Sequence, residues 1–127
     1  MSIFVSYTTR DHYVDRELLE SMCDVLSGYG SYYIDLLHNN SHHKQRYVEI
    51  MLSKAKLLLL ISSSSVGESE WVLWELAEAD RMGIPIVTIQ ATPNRDETLD
   101  NLRSKLASEY ETLTREGSVG GLSCVSI

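Results

Sequence analysis

Hydrophobic positions along the chain alternate between runs typical of strands and spacings typical of helices. The strand-like runs lie at residues 3 to 7 (IFVSY), 31 to 35 (SYYID), 56 to 62 (KLLLLIS) and 85 to 90 (PIVTIQ). The third run is apolar at nearly every position, which is typical of a central parallel strand covered on both faces. Segments with helical spacing separate these runs, so the pattern predicts an α/β protein.

Four segments carry the apolar spacing of amphipathic helices. The first follows the polar residues 8 to 11, and Gly28 or Gly30 is expected to end it. The next two are predicted over about 42 to 55 and from 68 or 69 to Met82. The last helix follows a turn at 92 to 94 and is expected to end at Gly117. In the first helix the predicted apolar stripe consists of Val14, Leu18, Met22, Val25, Leu26 and Tyr29.

Strands that alternate with helices of crossover length predict right-handed βαβ units and a parallel sheet with helices on both faces. The sheet is expected to have four or five strands, because residues 122 to 127 fit either an edge strand or a frayed tail that begins near residue 116. Ligands of such sheets bind beyond the carboxyl ends of the strands. The candidate ligand-binding residues are therefore those at 7 to 10, 35 to 36 and 62 to 69.

Length and charge narrow the class of protein. The 127 residues are enough for one domain, and 18 acidic against 11 basic residues give a net charge of -7. This charge argues against nucleic acid or anionic membranes as partners. The sequence shows neither a long apolar run nor a leader pattern, so we expect a cytoplasmic protein. The two cysteines lack disulfide or metal spacing and are expected to be thiols.

Common catalytic motifs are missing from the sequence, which has no dinucleotide GxGxxG, no phosphate loop, no GxSxG and no HExxH. The histidines at 38, 42 and 43 fall in or beside a predicted surface loop, and we interpret them as solvated residues rather than metal ligands. No metal and no cofactor are therefore expected.

The stretch from Ser69 to Glu75 (SEWVLWE) opens a helix at the ligand end of the sheet. Trp71 and Glu75 are four residues apart and share a helical face, while Val72, Leu76 and Ala79 are predicted to form a separate stripe that faces the sheet. A carboxylate beside an indole suits a sugar with an aromatic leaving group, since the ring stacks and the anion stabilises an oxocarbenium-like centre. Spacing alone equally allows a packed tryptophan and a solvated glutamate.

Three short motifs resemble those of Toll/interleukin-1 receptor (TIR) domains. The first strand reads IFVSY and is followed by Asp11, similar to the family's opening motif. Residues 33 to 35 (YID) resemble the end of its second strand. Ser63, then SEWV at 69 to 72 with Glu75, resembles the loop and helix after its third strand. The resemblance covers about residues 2 to 90, in the family's order.

The resemblance implies that residues 1 to 127 form a single flavodoxin-like TIR domain, a three-layer sandwich that either assembles with other TIR domains or cleaves NAD+. In the enzymatic branch Glu75 would be the catalytic residue, and Trp71 would border the nicotinamide. The other residues implied to bind substrate are Tyr7, Thr8, Arg10, Asp35, Leu36, Ser63 and Ser69. Asp35 and Leu36 would also begin the BB loop, which in this chain is short and lacks Pro-Gly.

Three hypotheses for function follow. The leading one is an NAD+ glycohydrolase or ADP-ribosyl cyclase, which resembles the stand-alone bacterial enzymes of Thoeris-type antiphage defence. Its implied partners are NAD+, other TIR chains and a separately encoded effector that a nucleotide messenger activates. The second hypothesis is a non-catalytic TIR scaffold. The third is an enzyme resembling nucleoside deoxyribosyltransferases, which share the layout and the glutamate-dependent N-glycosidic chemistry.

Overall fold

A computed structural model describes residues 2 to 35 and 44 to 121 of the chain. The elements within those ranges alternate as predicted for an α/β protein. In chain order they are β1 (Ser2–Ser6), α1 (Arg16–Leu26), β2 (Ser31–Ile34), α2 (Lys44–Ser53), β3 (Leu57–Ser62), a 3₁₀ turn (Val66–Glu68), α3 (Glu70–Arg81), β4 (Ile86–Gln90) and α4 (Arg95–Gly121).

The strands of the described ranges form one four-stranded parallel sheet in the order β2-β1-β3-β4. Phe4 of β1 pairs with Tyr33 on one side and with Leu58 on the other, so β1 and β3 are the inner strands. This is the strand order of a flavodoxin-like sheet, in which the chain reverses its direction of travel between β1 and β3. The predicted α/β class with four or five strands is confirmed.

Alternate residues of each strand point to opposite faces and build two apolar cores. On one face Ile3 and Val5 pack with α1 and α4, whose contributions include Leu19 and Leu102. On the other face Phe4 and Leu58 pack with α2 and α3. The result is a three-layer sandwich, with the inner strands buried on both sides.

The first helix begins later in the chain than the polar residues 8 to 11 predicted. Asp15 is its N-cap and accepts a hydrogen bond of 2.9 Å from the Leu18 N–H, so Val14 precedes the helix, although it is still buried in the core. The helix ends at Leu26, and Tyr29 lies beyond it. Residues 8 to 11 do not cap this helix, because they lie five or more residues before its first turn.

The last helix continues past Gly117 to Gly121, contrary to the prediction that this glycine ends it. A glycine inside a helix costs roughly 1 kcal/mol relative to alanine but is free to adopt helical dihedral angles, so it weakens a helix without terminating it. Residues 116 to 121 are therefore neither tail nor strand. The predicted fifth strand at 122 to 127, and the histidines at 38, 42 and 43, lie outside the described residues.

Candidate active site

A cavity of about 290 Å³ opens at the carboxyl ends of β1 and β2, beside the start of α3. Its position agrees with the crevice expected for this strand order. Parts of the chain that are far apart in sequence meet here, because each follows a strand end of the same sheet edge or opens the helix after β3. The lining residues are Tyr7, Thr8, Thr9, Asp35, Ser69, Trp71 and Glu75.

Glu75 is the most deeply buried ionisable group of this cavity, with only 2% of its surface exposed. Its Oε1 accepts a hydrogen bond of 2.7 Å from the hydroxyl of Ser6, the last residue of β1. Burial raises the pKa of Glu75 to about 8; the Ser6 hydroxyl opposes this shift, the charge of Asp35 adds to it, and the Trp71 indole opposes it more weakly. The protonated acid of Glu75 therefore predominates at pH 7.

The rotation of α3 turns Glu75 toward the sheet. Val72, Glu75 and Ala79 are its buried residues, spaced as one helical stripe, while Leu76 is only half-buried. The predicted stripe does pack toward the sheet, since Leu76 is half-buried against the same core as Ala79. The feature that was not predicted is the burial of Glu75 on this side of the helix, where its carboxyl accepts the hydrogen bond from Ser6 at the end of β1.

The start of α3 is held by a cap and by a loop contact from across the fold. Ser69 is the N-cap, and its Oγ accepts a hydrogen bond of 3.2 Å from the Val72 N–H. In the preceding loop, Ser65 donates to both carboxylate oxygens of Asp11, through its N–H (2.8 Å) and its hydroxyl (3.0 Å). These bonds tie the loop after β1 to the loop after β3 and so set where the helix begins.

Ser63 is 95% buried beside this contact, and its hydroxyl has no hydrogen-bond partner among the described residues. The hydroxyl still lies near enough to Asp11 to be the main influence that lowers the pKa of that carboxyl, followed by the Ser65 N–H. Ser63 therefore belongs with the loop contact rather than with the cavity lining.

Trp71 and Trp74 form a stacked pair on α3, with ring centroids 5.3 Å apart and an interplanar angle of 27°. Trp71 lines the cavity and is 37% exposed. Trp74 packs on the core between the sheet and helices α2 and α3. Helix α4 packs on the opposite face of the sheet.

The structure brings together most of the residues predicted to bind substrate. Tyr7, Thr8, Asp35 and Ser69 line the cavity together with Trp71 and Glu75. Arg10 is exposed and Ser63 is buried, and neither is among the lining residues; Leu36 lies outside the described residues. Within the described part of the chain, no group of acidic, histidine or cysteine side chains is arranged to hold a metal ion.

Thr9 lines the cavity and lies within the predicted crevice range 7 to 10, although it was not among the residues predicted to bind substrate. Ser6, which donates the hydrogen bond to the Glu75 carboxyl, was not predicted from the sequence. A signal for Ser6 does exist, because it is a polar residue that directly follows the apolar run of the first strand and lies at its carboxyl end. Its partner could not be read from spacing, since 69 residues separate the two side chains.

Comparison with known proteins assigns no family. No protein-family model matches the chain, and no curated protein matches it. Across residues 2 to 35 and 44 to 121, no helix is both long enough and apolar enough to cross a membrane. The TIR resemblance therefore stays a prediction, and functional inference depends on the geometry of the cavity.

The raised pKa of Glu75 predicts that the protein loses stability as the pH rises. Between about 4.5, the ordinary glutamate value, and about 8, the folded protein retains a proton that the unfolded chain releases. The free energy of unfolding should fall across this window by up to about 1.4 kcal/mol per pH unit and level off above pH 8. Urea denaturation from pH 5 to 9 measures this slope.

Glu75→Gln should remove this contribution, because an amide keeps the shape and has no proton to lose. We expect the variant to be more stable than the wild type at pH 8 and nearly equal to it at pH 5. Glu70→Gln is the matched control, since Glu70 lies exposed on the same helix and should leave the slope unchanged. Parallel stability curves for Glu75→Gln and the wild type would contradict the assigned pKa.

Proposed function

We propose that the protein is an NAD+-cleaving enzyme that breaks the N-glycosidic bond between nicotinamide and ribose, and that Glu75 is its catalytic residue. The observation that carries this proposal is a buried carboxyl of raised pKa beside a half-exposed indole, in a cavity at the carboxyl edge of the sheet. Strongly shifted carboxyl groups in clefts are typical of functional sites. The three TIR-like motifs support the choice of NAD+, and we place the activity in the cytoplasm.

The bond to nicotinamide breaks heterolytically, and its electron pair returns to the ring nitrogen. Nicotinamide leaves as a neutral molecule and needs no proton, while positive charge develops on C1′ and the ring oxygen of ribose. Ionised Glu75, which is almost fully buried and accepts a hydrogen bond from Ser6, would stabilise that charge. Water or a hydroxyl of the same ADP-ribose then adds to C1′ and releases one proton, giving a linear or a cyclic product.

The cavity volume indicates which part of the substrate it receives. About 290 Å³ is just below the usual range of ligand pockets, roughly 300 to 1,000 Å³, and suits the nicotinamide end of a dinucleotide. The remainder of NAD+ would extend beyond the described lining. We propose that a neighbouring TIR chain forms the rest of the pocket wall. We also propose that the product acts as a messenger for a separately encoded effector in antiphage defence.

A second candidate follows from the same carboxyl group. A nucleobase leaves a nucleoside more readily when it is protonated, and Glu75 in its acid form would be a suitable donor. This reading corresponds to an enzyme resembling nucleoside deoxyribosyltransferases. It predicts release of nucleobases from deoxynucleosides and no consumption of NAD+, so the two candidates are separated by substrate. A non-catalytic scaffold would process neither.

Glu75→Gln tests the proposed activity. Incubation with NAD+ and detection of nicotinamide and ADP-ribose products by mass spectrometry should show at least a ~100-fold loss of turnover, because the amide cannot neutralise the developing cation. Urea denaturation verifies that the variant is folded. Glu70→Gln removes a carboxylate from the exposed side of the same helix and should retain activity. Normal NAD+ turnover by Glu75→Gln would reject the catalytic assignment.

Trp71→Ala separates a ligand contact from a core residue. Because the indole is 37% exposed, its loss should cost about 1 kcal/mol of stability, mostly from stacking on Trp74, rather than the roughly 3 to 5 kcal/mol of a core aromatic. The KM for NAD+ should rise or kcat should fall. Leu73→Ala, on the exposed side of α3 outside the cavity lining, is the control. Normal kinetics with a large stability loss would identify Trp71 as structural.

A further inference from the structure

The cavity contains two carboxyl groups that come from different elements. Asp35 directly follows β2, and Glu75 lies in the second turn of α3. Among the described residues that line the cavity, none is lysine, arginine or histidine. A ligand that enters therefore meets acidic groups and, within the described part of the lining, no basic side chain.

Each carboxyl accepts a hydrogen bond from a neutral hydroxyl group. Ser6 donates to Glu75 at 2.7 Å, and the Tyr33 phenol donates to Asp35 Oδ1 at 2.8 Å. Glu75 is almost fully buried, whereas Asp35 is partly exposed to solvent. Two carboxylates that face one small cavity repel each other when both are ionised, and the charge is better hydrated on the more exposed group.

The described lining contributes no positive charge that would favour the ionised form of Glu75. From the loop after β1 the only ionisable lining group is the Tyr7 phenol, from the end of β2 it is Asp35, and α3 itself contributes the uncharged Trp71 indole. The charge of Asp35 raises the pKa of Glu75 further, beyond the larger effect of burial. The described surroundings therefore favour one ionised and one protonated carboxyl.

We propose that Glu75 holds a proton when no ligand is bound, and that a ligand with a permanently cationic aromatic ring binds beside Asp35 and Glu75 by displacing this proton to solvent. The ring's positive charge then faces two carboxylates where one was present before. The identity of the ring as oxidised nicotinamide rests on the proposed function. Binding itself thus converts Glu75 into the carboxylate that cleavage requires.

This coupling makes the cavity selective for charge. The ring of reduced nicotinamide is neutral and does not stabilise the ionised form of Glu75, so NADH should bind weakly. Nicotinamide is also neutral once the glycosidic bond has broken. Glu75 can then take up a proton again, which weakens the binding of the departing nicotinamide.

Two small molecules of nearly equal shape test the coupling without any bond cleavage. The probes are 1-methylnicotinamide, which is a permanent cation, and nicotinamide, which is neutral. Dissociation constants would be measured from pH 6 to 9 through the NMR shift of the Trp71 indole N–H. The affinity for the cation should rise by up to about tenfold per pH unit and become constant above the pKa of about 8. The affinity for nicotinamide should be independent of pH.

Asp35→Asn provides the second arm of this experiment. With one carboxylate removed, Glu75 should ionise at a lower pH, so the rise in cation affinity should shift to lower pH, and the affinity at pH 9 should fall. The asparagine oxygen can still accept the Tyr33 hydrogen bond. Glu70→Gln, which removes an exposed carboxylate outside the lining, should keep the wild-type profile.

Any of three results would overturn the proposal. The first is a cation affinity that does not change with pH, and the second is the lack of saturable cation binding at millimolar concentration. The third is an Asp35→Asn profile identical to that of the wild type. Because neither probe contains an N-glycosidic bond to ribose, these results are independent of turnover. Charge-linked binding in a protein that leaves NAD+ intact would reject the proposed function and retain this inference.

Discussion

A hydrogen bond of 2.7 Å between Ser6 and Glu75 joins the end of an inner strand to the helix that flanks the cavity. The strand end is fixed, since β1 pairs with β2 on one side and with β3 on the other. The helix is fixed by its Ser69 cap and by the Asp11 contact with the preceding loop. The carboxyl therefore occupies one defined place, although no basic side chain is paired with it among the described residues.

Burial of this acid works against the stability of the fold. Position 75 lies in the buried stripe between Val72 and Ala79, where an apolar side chain would extend the core at no electrostatic cost. The protein instead buries a group that must either keep its proton or remain ionised with little solvation. Such a local departure from a favourable core is typical of functional sites, and it motivates the assignment of catalysis to Glu75 rather than to a better solvated carboxylate.

Local pattern was sufficient to predict the strands and the edge of the sheet at which the cavity opens, because both depend on apolar runs and on the rules of parallel sheets. It was insufficient for the orientation of α3, since spacing shows that Trp71 and Glu75 share a face but not how the helix is rotated on the sheet. That rotation depends on packing with residues distant in sequence. The later start of α1 has a local cause, the side-chain cap of Asp15, which competed with other polar residues in the same stretch.

The central claim is that Glu75 is a protonated acid at neutral pH in the ligand-free protein. Carbon-13 NMR of protein labelled at glutamate carboxyl carbons measures this directly, with Glu75→Gln used to assign the signal. We expect the Glu75 resonance to titrate with a midpoint near pH 8, well separated from the exposed glutamates. A midpoint near the ordinary value of 4.5 would show that Glu75 is ionised at neutral pH and would contradict the account of this site.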